Sequence, residues 1–206
     1  CKDADYHATN ILYTAVDTRF DVVSQRDSDE GYATHLLGRG NILNITAALA
    51  VAEHLGVGAE QRRRAVRQME QVEHRLSMRR AGGVTILDDA YNSNPTGARM
   101  ALEVLAGFAT EGCRYVVTPG FVEMGARQYD NNRAFGADIA ASGADSVYVV
   151  NEVNRAAIVA GLEDGGYDMS RVHCVASFNE AMGELQPRFK AGDVVLYEND
   201  LPDSFK

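Results

Sequence analysis

Apolar and polar positions change rhythm along the chain, and the changes mark its elements. Residues 8–14, 19–24 and 32–37 read as short strands, the last two joined by the charged, glycine-ended run Gln25-Arg26-Asp27-Ser28-Asp29-Glu30-Gly31. Strands in direct succession predict an antiparallel meander, which needs a covering layer. The next segment supplies one: after Gly38-Arg39-Gly40-Asn41-Ile42-Leu43-Asn44, the residues Ile45, Ala48, Leu49, Ala52 and Leu55 recur at helical spacing up to Gly56. A second helix is predicted over residues 59–72, with Ala65, Val66, Met69 and Val72 inward and Arg62, Arg63 and Arg64 mostly outward, most simply as a solvated face and alternatively as a basic patch for an anionic ligand.

From Val84 the rhythm alternates. Short apolar runs begin near Val84, Arg114, Ser146, Arg171 and Asp193, about 22 to 32 residues apart, which fits successive βαβ units with right-handed crossovers. Apolar-periodic helices lie between them, with Phe178, Ala181, Met182 and Leu185 on the last. The expected fold class is α/β: short strands plus two helices over residues 1–80, then a Rossmann-like, mostly parallel sheet over residues 81–206, with the boundary near residues 78–84. There is no GxGxxG and no acidic residue at the dinucleotide spacing, which speaks against a nicotinamide-dependent oxidoreductase.

Ligands collect where parallel strands end. Val84-Thr85-Ile86-Leu87 is a brief β-branched run, and Asp88-Asp89-Ala90-Tyr91-Asn92-Ser93-Asn94-Pro95 follows it. Pro95 suits a first helical turn and Asn94 an N-cap, after which Ala98, Ala101, Leu102, Leu105 and Phe108 recur at helical spacing. A carboxylate in this turn can accept hydrogen bonds from ribose hydroxyls or stand near a metal, and the helix start favours an anion. The plainer alternative is that Asp88 and Asn94 merely cap and turn; one capping residue would suffice for that, whereas six of these eight side chains are polar.

Two further polar loops reach the same edge. Thr118-Pro119-Gly120-Phe121-Val122-Glu123-Met124-Gly125-Ala126-Arg127 follows the second strand of this region. Glu123 and Arg127 suit either the two charged ends of a small zwitterion or an internal ion pair. Tyr197-Glu198-Asn199-Asp200-Leu201-Pro202-Asp203 follows the last strand, acidic and turn-forming. Earlier in the chain, Asn41 and Asn44 share a helical face and could hydrogen-bond a flat heterocycle, although spacing favours one of them as a cap. Arg75 precedes the turn Arg79-Arg80-Ala81-Gly82-Gly83 and suits a phosphate or a surface ion pair equally; His74 reads as a surface histidine.

Composition narrows the classes. With 206 residues, 46% apolar and 24% charged, the chain is globular and long enough for one large domain or two modest ones. Its 29 acidic against 20 basic residues, net −9, argue against broad binding to nucleic acid. Cys1, Cys113 and Cys174 are odd in number and in no CxxC spacing, so neither a disulfide framework nor a zinc site is expected, and the cytoplasm is the natural compartment. No signal segment and no long uncharged apolar run is present, so no membrane span is expected.

Taken together, Gly38 to Asn44 with its Ala-rich helix, His74-Arg75-Leu76, Asp88 to Pro95 and Glu123-Met124-Gly125 resemble the Mur ligases in order and spacing, closest to the branch that adds D-alanyl-D-alanine to the UDP-muramoyl peptide. The resemblance spans nearly the whole chain, and Asp88 to Pro95 is its most specific part. It implies the end of a central ATP-binding domain over residues 1–80 and a C-terminal domain over residues 81–206. The implied chemistry is amide formation through an acyl phosphate, with ATP and Mg2+, on a UDP-muramoyl peptide and an amino acid or dipeptide. It places Asn41 and Asn44 at the adenine, Arg75 at a phosphate as the catalytic cation, Asp89 at the ribose, and Tyr91, Asn92 and Asn94 in a loop closing over the nucleotide. The phosphate loop and the family's metal ligands have no counterpart in these residues and are expected upstream, so this segment alone is expected to be inactive. Gly40 stands where the branch has histidine, and the Tyr197 to Asp203 ending differs from the branch's basic, small-residue ending. A noncatalytic nucleotide- or amino-acid-binding module is the alternative.

Overall fold

A computed structural model describes residues 4–14, 16–24, 28–91 and 93–202. It divides into two compact units, Cys1–Val72 with Gly107–Ala109, and Glu73–Ala106 with Thr110–Lys206.

In the first unit β1 (Tyr6–Tyr13), β2 (Thr18–Ser24) and β3 (Ser28–Thr34) form the expected antiparallel meander, followed by α1 (Gly38–His54) and α2 (Ala59–Arg67). Phe20, Val22 and Tyr32 of the sheet pack on Ile42, Ile45 and Leu49 of α1 and Val66 of α2. Phe20 and Tyr32 stack with ring centroids 5.4 Å apart.

Polar partners displace several expectations here. Ser28 to Gly31 were expected in a turn but belong to β3; the Asp21 carboxylate accepts Gly31 N at 2.8 Å beside a register shift, so a polar segment can pair. Gln25 to Asp27 lie outside the described residues. Helix α2 stops at Arg67, with Ala65 exposed and Val72 64% exposed, because only Val66 and the following Met69 reach the core. Likewise Ala48 and Leu55 of the expected α1 stripe are exposed, since the buried stripe narrows to Ile42, Ile45 and Leu49 over the sheet. Arg62 does not face outward. Its side chain is 10% exposed, and it donates to Asp29 Oδ2 and Val57 O, each at 2.9 Å. The strand residue Asp29 supplies a carboxylate that makes this burial tolerable.

The second unit runs β4 (Ser77–Ala81), β5 (Val84–Asp89), α3 (Pro95–Gly107), β6 (Arg114–Thr118), α4 (Gln128–Ala141), β7 (Ser146–Val150), α5 (Arg155–Asp164), β8 (Val172–Val175), α6 (Phe178–Leu185) and β9 (Val194–Glu198). One sheet orders them β4-β5-β9-β6-β7-β8, parallel except for β4 against β5. Strands β5 to β9 start at or next to their expected positions. The unit boundary precedes residues 78–84 because Ser77 to Ala81 pair along β5, from Ser77↔Asp88 to Ala81↔Val84.

The last strand lies inside the sheet, between β5 and β6, so the segment after Glu198 emerges beside the ends of both. Pleating then assigns faces. Ile86, Val117, Tyr148, Val150, Val195 and Tyr197 pack with Ala181, Met182 and Leu185 of α6. The alternate residues Leu87, Val116, Val147, Val149, Leu196 and Glu198 are buried on the other face. On that other side α4 and α5 approach closely at Gly161, where a Cβ would lie 1.9 Å from Arg133 O. Asp88 and Asp89 therefore point to opposite faces of the sheet.

Candidate functional site

The turn after β5 is wired to the segment that precedes β4. Asp88 Oδ1 accepts Ala90 N at 3.2 Å, and its Oδ2 lies 3.0 Å from His74 Nδ1. That bond raises the His74 pKa above its ordinary value. Asp89 Oδ1 accepts Leu76 N at 2.8 Å, and Tyr91 N donates to His74 O at 3.2 Å. Between these bonds the Arg75 guanidinium carbon lies 4.2 Å from the Tyr91 ring centroid. Burial raises the Asp89 pKa, opposed by the Leu76 bond and by Arg75. A carboxylate, a guanidinium and an aromatic ring thus stand together at the carboxyl edge of β5.

The same turn leads into α3 as the sequence predicts: Asn94 Oδ1 accepts Thr96 N at 3.1 Å and Gly97 N at 3.0 Å. Ser93 Oγ donates to Glu198 Oε1, and Asn199 N donates to Asp89 O at 3.2 Å, so the ends of β5 and β9 are tied. Glu198 is fully buried; burial first and Asp89 second push its pKa well up, against the Ser93 bond. Asn92 lies outside the described residues. His74 is a surface residue as expected, its side chain 54% exposed, but it is paired with Asp88.

The loop after β6 is held by amides that sequence reasoning missed. Asn132 on α4 accepts Phe121 N at 2.8 Å and donates to Phe121 O at 2.9 Å. Asn154 donates to Pro119 O and Phe121 O, each at 2.9 Å, and Asn199 donates to Gly120 O at 2.6 Å. Gly120 has φ +73, and a Cβ there would lie 2.2 Å from Asn132 Oδ1. The sequence signal was slight: an amide one turn before the apolar pair Phe135 and Gly136, and another just before α5.

Glu123 is exposed with φ +61, and Arg127 is exposed at the end of the short 3-10 turn Gly125–Arg127. Among the described residues no ion pair joins them. A cavity of about 530 Å³ is lined by Glu123 with His74, Tyr91, Ser93, Asn199 and Asp200, while Arg127 stands outside its lining. A second cavity, of about 610 Å³, lies over the α6 face of the sheet edge. Its lining includes the apolar Val117, Val150, Phe178 and Tyr197 and the charged Asp88, Arg79 and Asp200. The two share His74, Ala90, Asn199, Asp200 and Leu201. Among the described residues no group of His, Cys, Asp and Glu is arranged to hold a metal.

In the first unit, Asn41 and Asn44 sit near the start of α1. Leu37 is the cap residue and no side chain caps the helix, so neither asparagine takes the capping role that spacing favoured. Asn41 Nδ2 donates back to Leu37 O at 2.8 Å, and Asn44 is exposed.

Comparison with known proteins bears on this arrangement. The family model described as "Mur ligase, glutamate ligase domain" matches residues 74–197. The UDP-N-acetylmuramoyl-tripeptide--D-alanyl-D-alanine ligase of Bacillus subtilis is 20% identical over 195 residues, covering 94% of this chain and 42% of that protein. The UDP-N-acetylmuramate--L-alanine ligase of Ruegeria pomeroyi is 29% identical over 219 residues, covering 98% of this chain and 47% of that protein. In fold, the chain is similar to the MurF ligase from Thermotoga maritima in complex with ADP, with a TM-score of 0.79 at 23% identity over 97% of this chain and 44% of that one. It is also similar, with a TM-score of 0.59 at 18% identity over 94% of this chain and 44% of that one, to the folylpolyglutamate synthase of the same organism. The chain spans less than half the length of each of these relatives.

Proposed function

The chain belongs to the Mur ligase family, and from that premise we propose that it is the C-terminal portion of an ATP-dependent ligase that joins an amino acid or dipeptide to a UDP-muramoyl peptide. The observation that carries this reading is the grouping of Arg75, Tyr91 and Asp89 at the carboxyl edge of β5. ATP, with Mg2+, would supply the phosphoryl group that turns a carboxylate into an acyl phosphate, which an amine then attacks to give the amide and release phosphate.

The residues of this chain position and stabilise charge. Arg75 presents a permanent cation to a phosphate oxygen, and its stacking on Tyr91 holds it at the rim. Asp89 accepts ribose hydroxyls. Tyr91, Asn92 and Asn94 belong to the loop over the nucleotide, with Asn94 anchoring that loop to α3. Asn41 and Asn44 contact the adenine ring. Glu123 receives the ammonium end of the amine substrate from the lining of its cavity, and Arg127, outside that lining, receives its carboxylate. This is catalysis by positioning and electrostatics, suited to phosphoryl transfer.

In this reading residues 1–80 close the central ATP-binding domain and residues 81–206 form the C-terminal domain. The phosphate loop and metal ligands fall to the preceding ATPase half, and residues 1–206 alone are inactive. Substrates are small molecules and the setting is the cytoplasm; no described helix is long and apolar enough to cross a membrane. The test is ADP release by the full-length protein given UDP-muramoyl peptide and D-alanyl-D-alanine, with Arg75→Ala as control. Turnover that requires both substrates and collapses in the control is expected. Turnover only with other acyl or amine compounds would replace the substrates and keep the chemistry. No turnover with any acceptor would leave a noncatalytic binding module.

A further inference from the structure

Glu198, the last residue of β9, is fully buried, and the roles assigned above do not use it. Its Oε1 accepts the Ser93 hydroxyl, while its Oε2 is buried without a hydrogen-bond partner. Asp89 is its register partner on β5, so both carboxyls leave the same face of the sheet. The groups that face this pair are Ser93 from the turn and Arg75 beside Asp89; Asp88 acts on Asp89 from the neighbouring position. Among the described residues no cation is bonded to Glu198. An ionised carboxylate buried in this way, next to another carboxylate, would be strongly disfavoured.

We propose that Glu198 is a positioning residue: as an uncharged acid it ties the end of β9 to Ser93, and so fixes the 88–95 turn in the shape that meets a nucleotide. Burial and the neighbouring Asp89 both hold its proton, in keeping with that state. The backbone bond from Asn199 N to Asp89 O extends the same tie one residue past the strand. Raising the pH until Glu198 ionises sets a buried charge beside the half-buried Asp89 carboxylate and loosens the turn. The nucleotide half of this inference rests on the function proposed above; the tie does not.

The experiment is hydrogen exchange on the full-length protein at pH 5 and pH 9, corrected for intrinsic rates, for the wild type, Glu198→Gln and Glu198→Ala. It follows the amides of Leu76, Tyr91 and Asn199, which the turn protects. Exchange at these amides is expected to rise at least tenfold at the higher pH in the wild type. Glu198→Gln should be protected like the wild type at pH 5 and lose the alkaline rise. Glu198→Ala should exchange at least tenfold faster at both values, with β7 unchanged. The inference is overturned if the wild type shows no alkaline rise, if Glu198→Gln retains it, or if Glu198→Ala leaves the turn as protected as before. Should Glu198→Ala fail to fold, Glu198→Gln still decides. ADP affinity measured by calorimetry should follow the same ranking, and a wild type that shows the exchange pattern but binds no ADP would overturn the nucleotide reading alone.

Discussion

The guanidinium of Arg75 stands 4.2 Å from the centre of the Tyr91 ring, and both flank Asp89 at the end of β5. The contact joins the segment before β4 to the turn after β5, and the backbone bond from Tyr91 N to His74 O fixes the same junction. A cation over an aromatic face at an exposed site contributes about 0.5–1 kcal/mol. Its main consequence is placement, because it holds a long side chain ready at the rim.

Arg75 and Tyr91 should therefore differ in weight. In the full-length protein Arg75→Ala is expected to lower kcat about 100-fold, the loss typical of removing one transition-state charge stabiliser. Tyr91→Leu should cost only about 3- to 5-fold, and Tyr91→Phe almost nothing, since the ring face remains. Steady-state ADP release measures all three.

Gly120 tests the amide clamp. An alanine there would adopt φ +73 and place its Cβ 2.2 Å from Asn132 Oδ1. Gly120→Ala should lower unfolding stability by roughly 3 kcal/mol through strain and overpacking. Denaturant unfolding of the second unit's signal reads the change.

The pair Asp29 and Arg62 tests the first unit. With side chains 12% and 10% exposed, Asp29→Ala removes the carboxylate that Arg62 bonds, leaves it, among the described residues, only Glu53 Oε2 at 3.9 Å, and should cost about 3 kcal/mol. Arg63, also bonded to Asp29 but 39% exposed, should matter far less, with Arg63→Ala costing under about 1 kcal/mol. Urea denaturation distinguishes the two.

Two histidines should have pKa values displaced in opposite directions. The bond to Asp88 raises the His74 pKa above its ordinary 6.5, while burial, then Arg188, lowers that of His173. The stabilising His74–Asp88 contribution is thus complete below about pH 6.5 and lost as the pH rises through the raised value. An NMR titration of the ring protons should show this order, and Asp88→Asn should bring His74 down while leaving His173 in place.

Glu198 also carries a stability signature. Its carboxyl keeps a proton in the folded chain that the unfolded chain gives up above about pH 4.5, so stability falls as the pH rises from there to the folded value. Glu198→Gln should match the wild type near pH 4 and be more stable above it, by up to about 1.4 kcal/mol per pH unit crossed. A difference that does not grow with pH would contradict the sign. Thermal melts across pH 4 to 9 provide the measurement.

Local chemistry was legible in the chain. Buried parallel strands read as short apolar runs, so β5, β6 and β7 begin at Val84, Arg114 and Ser146 as the pattern predicts. The Asn94 cap was equally visible, because a cap bonds amides two and three residues ahead. What only the tertiary structure decided are the long-range partnerships. Arg62 is inward because Asp29 meets it, Asn154 is buried because Pro119 and Phe121 carbonyls await it, and Glu198 is buried against Ser93, 105 residues away. Sheet register likewise sent Asp88 and Asp89 to opposite faces and set Asp89 beside Glu198. The sequence by itself determined where the parallel strands begin and how α3 is capped, since those depend on neighbours along the chain, whereas the reach of β3 and α2 was set by the Asp21 bond and by the core. Which polar groups go inside depends on partners that only folding brings within hydrogen-bond reach.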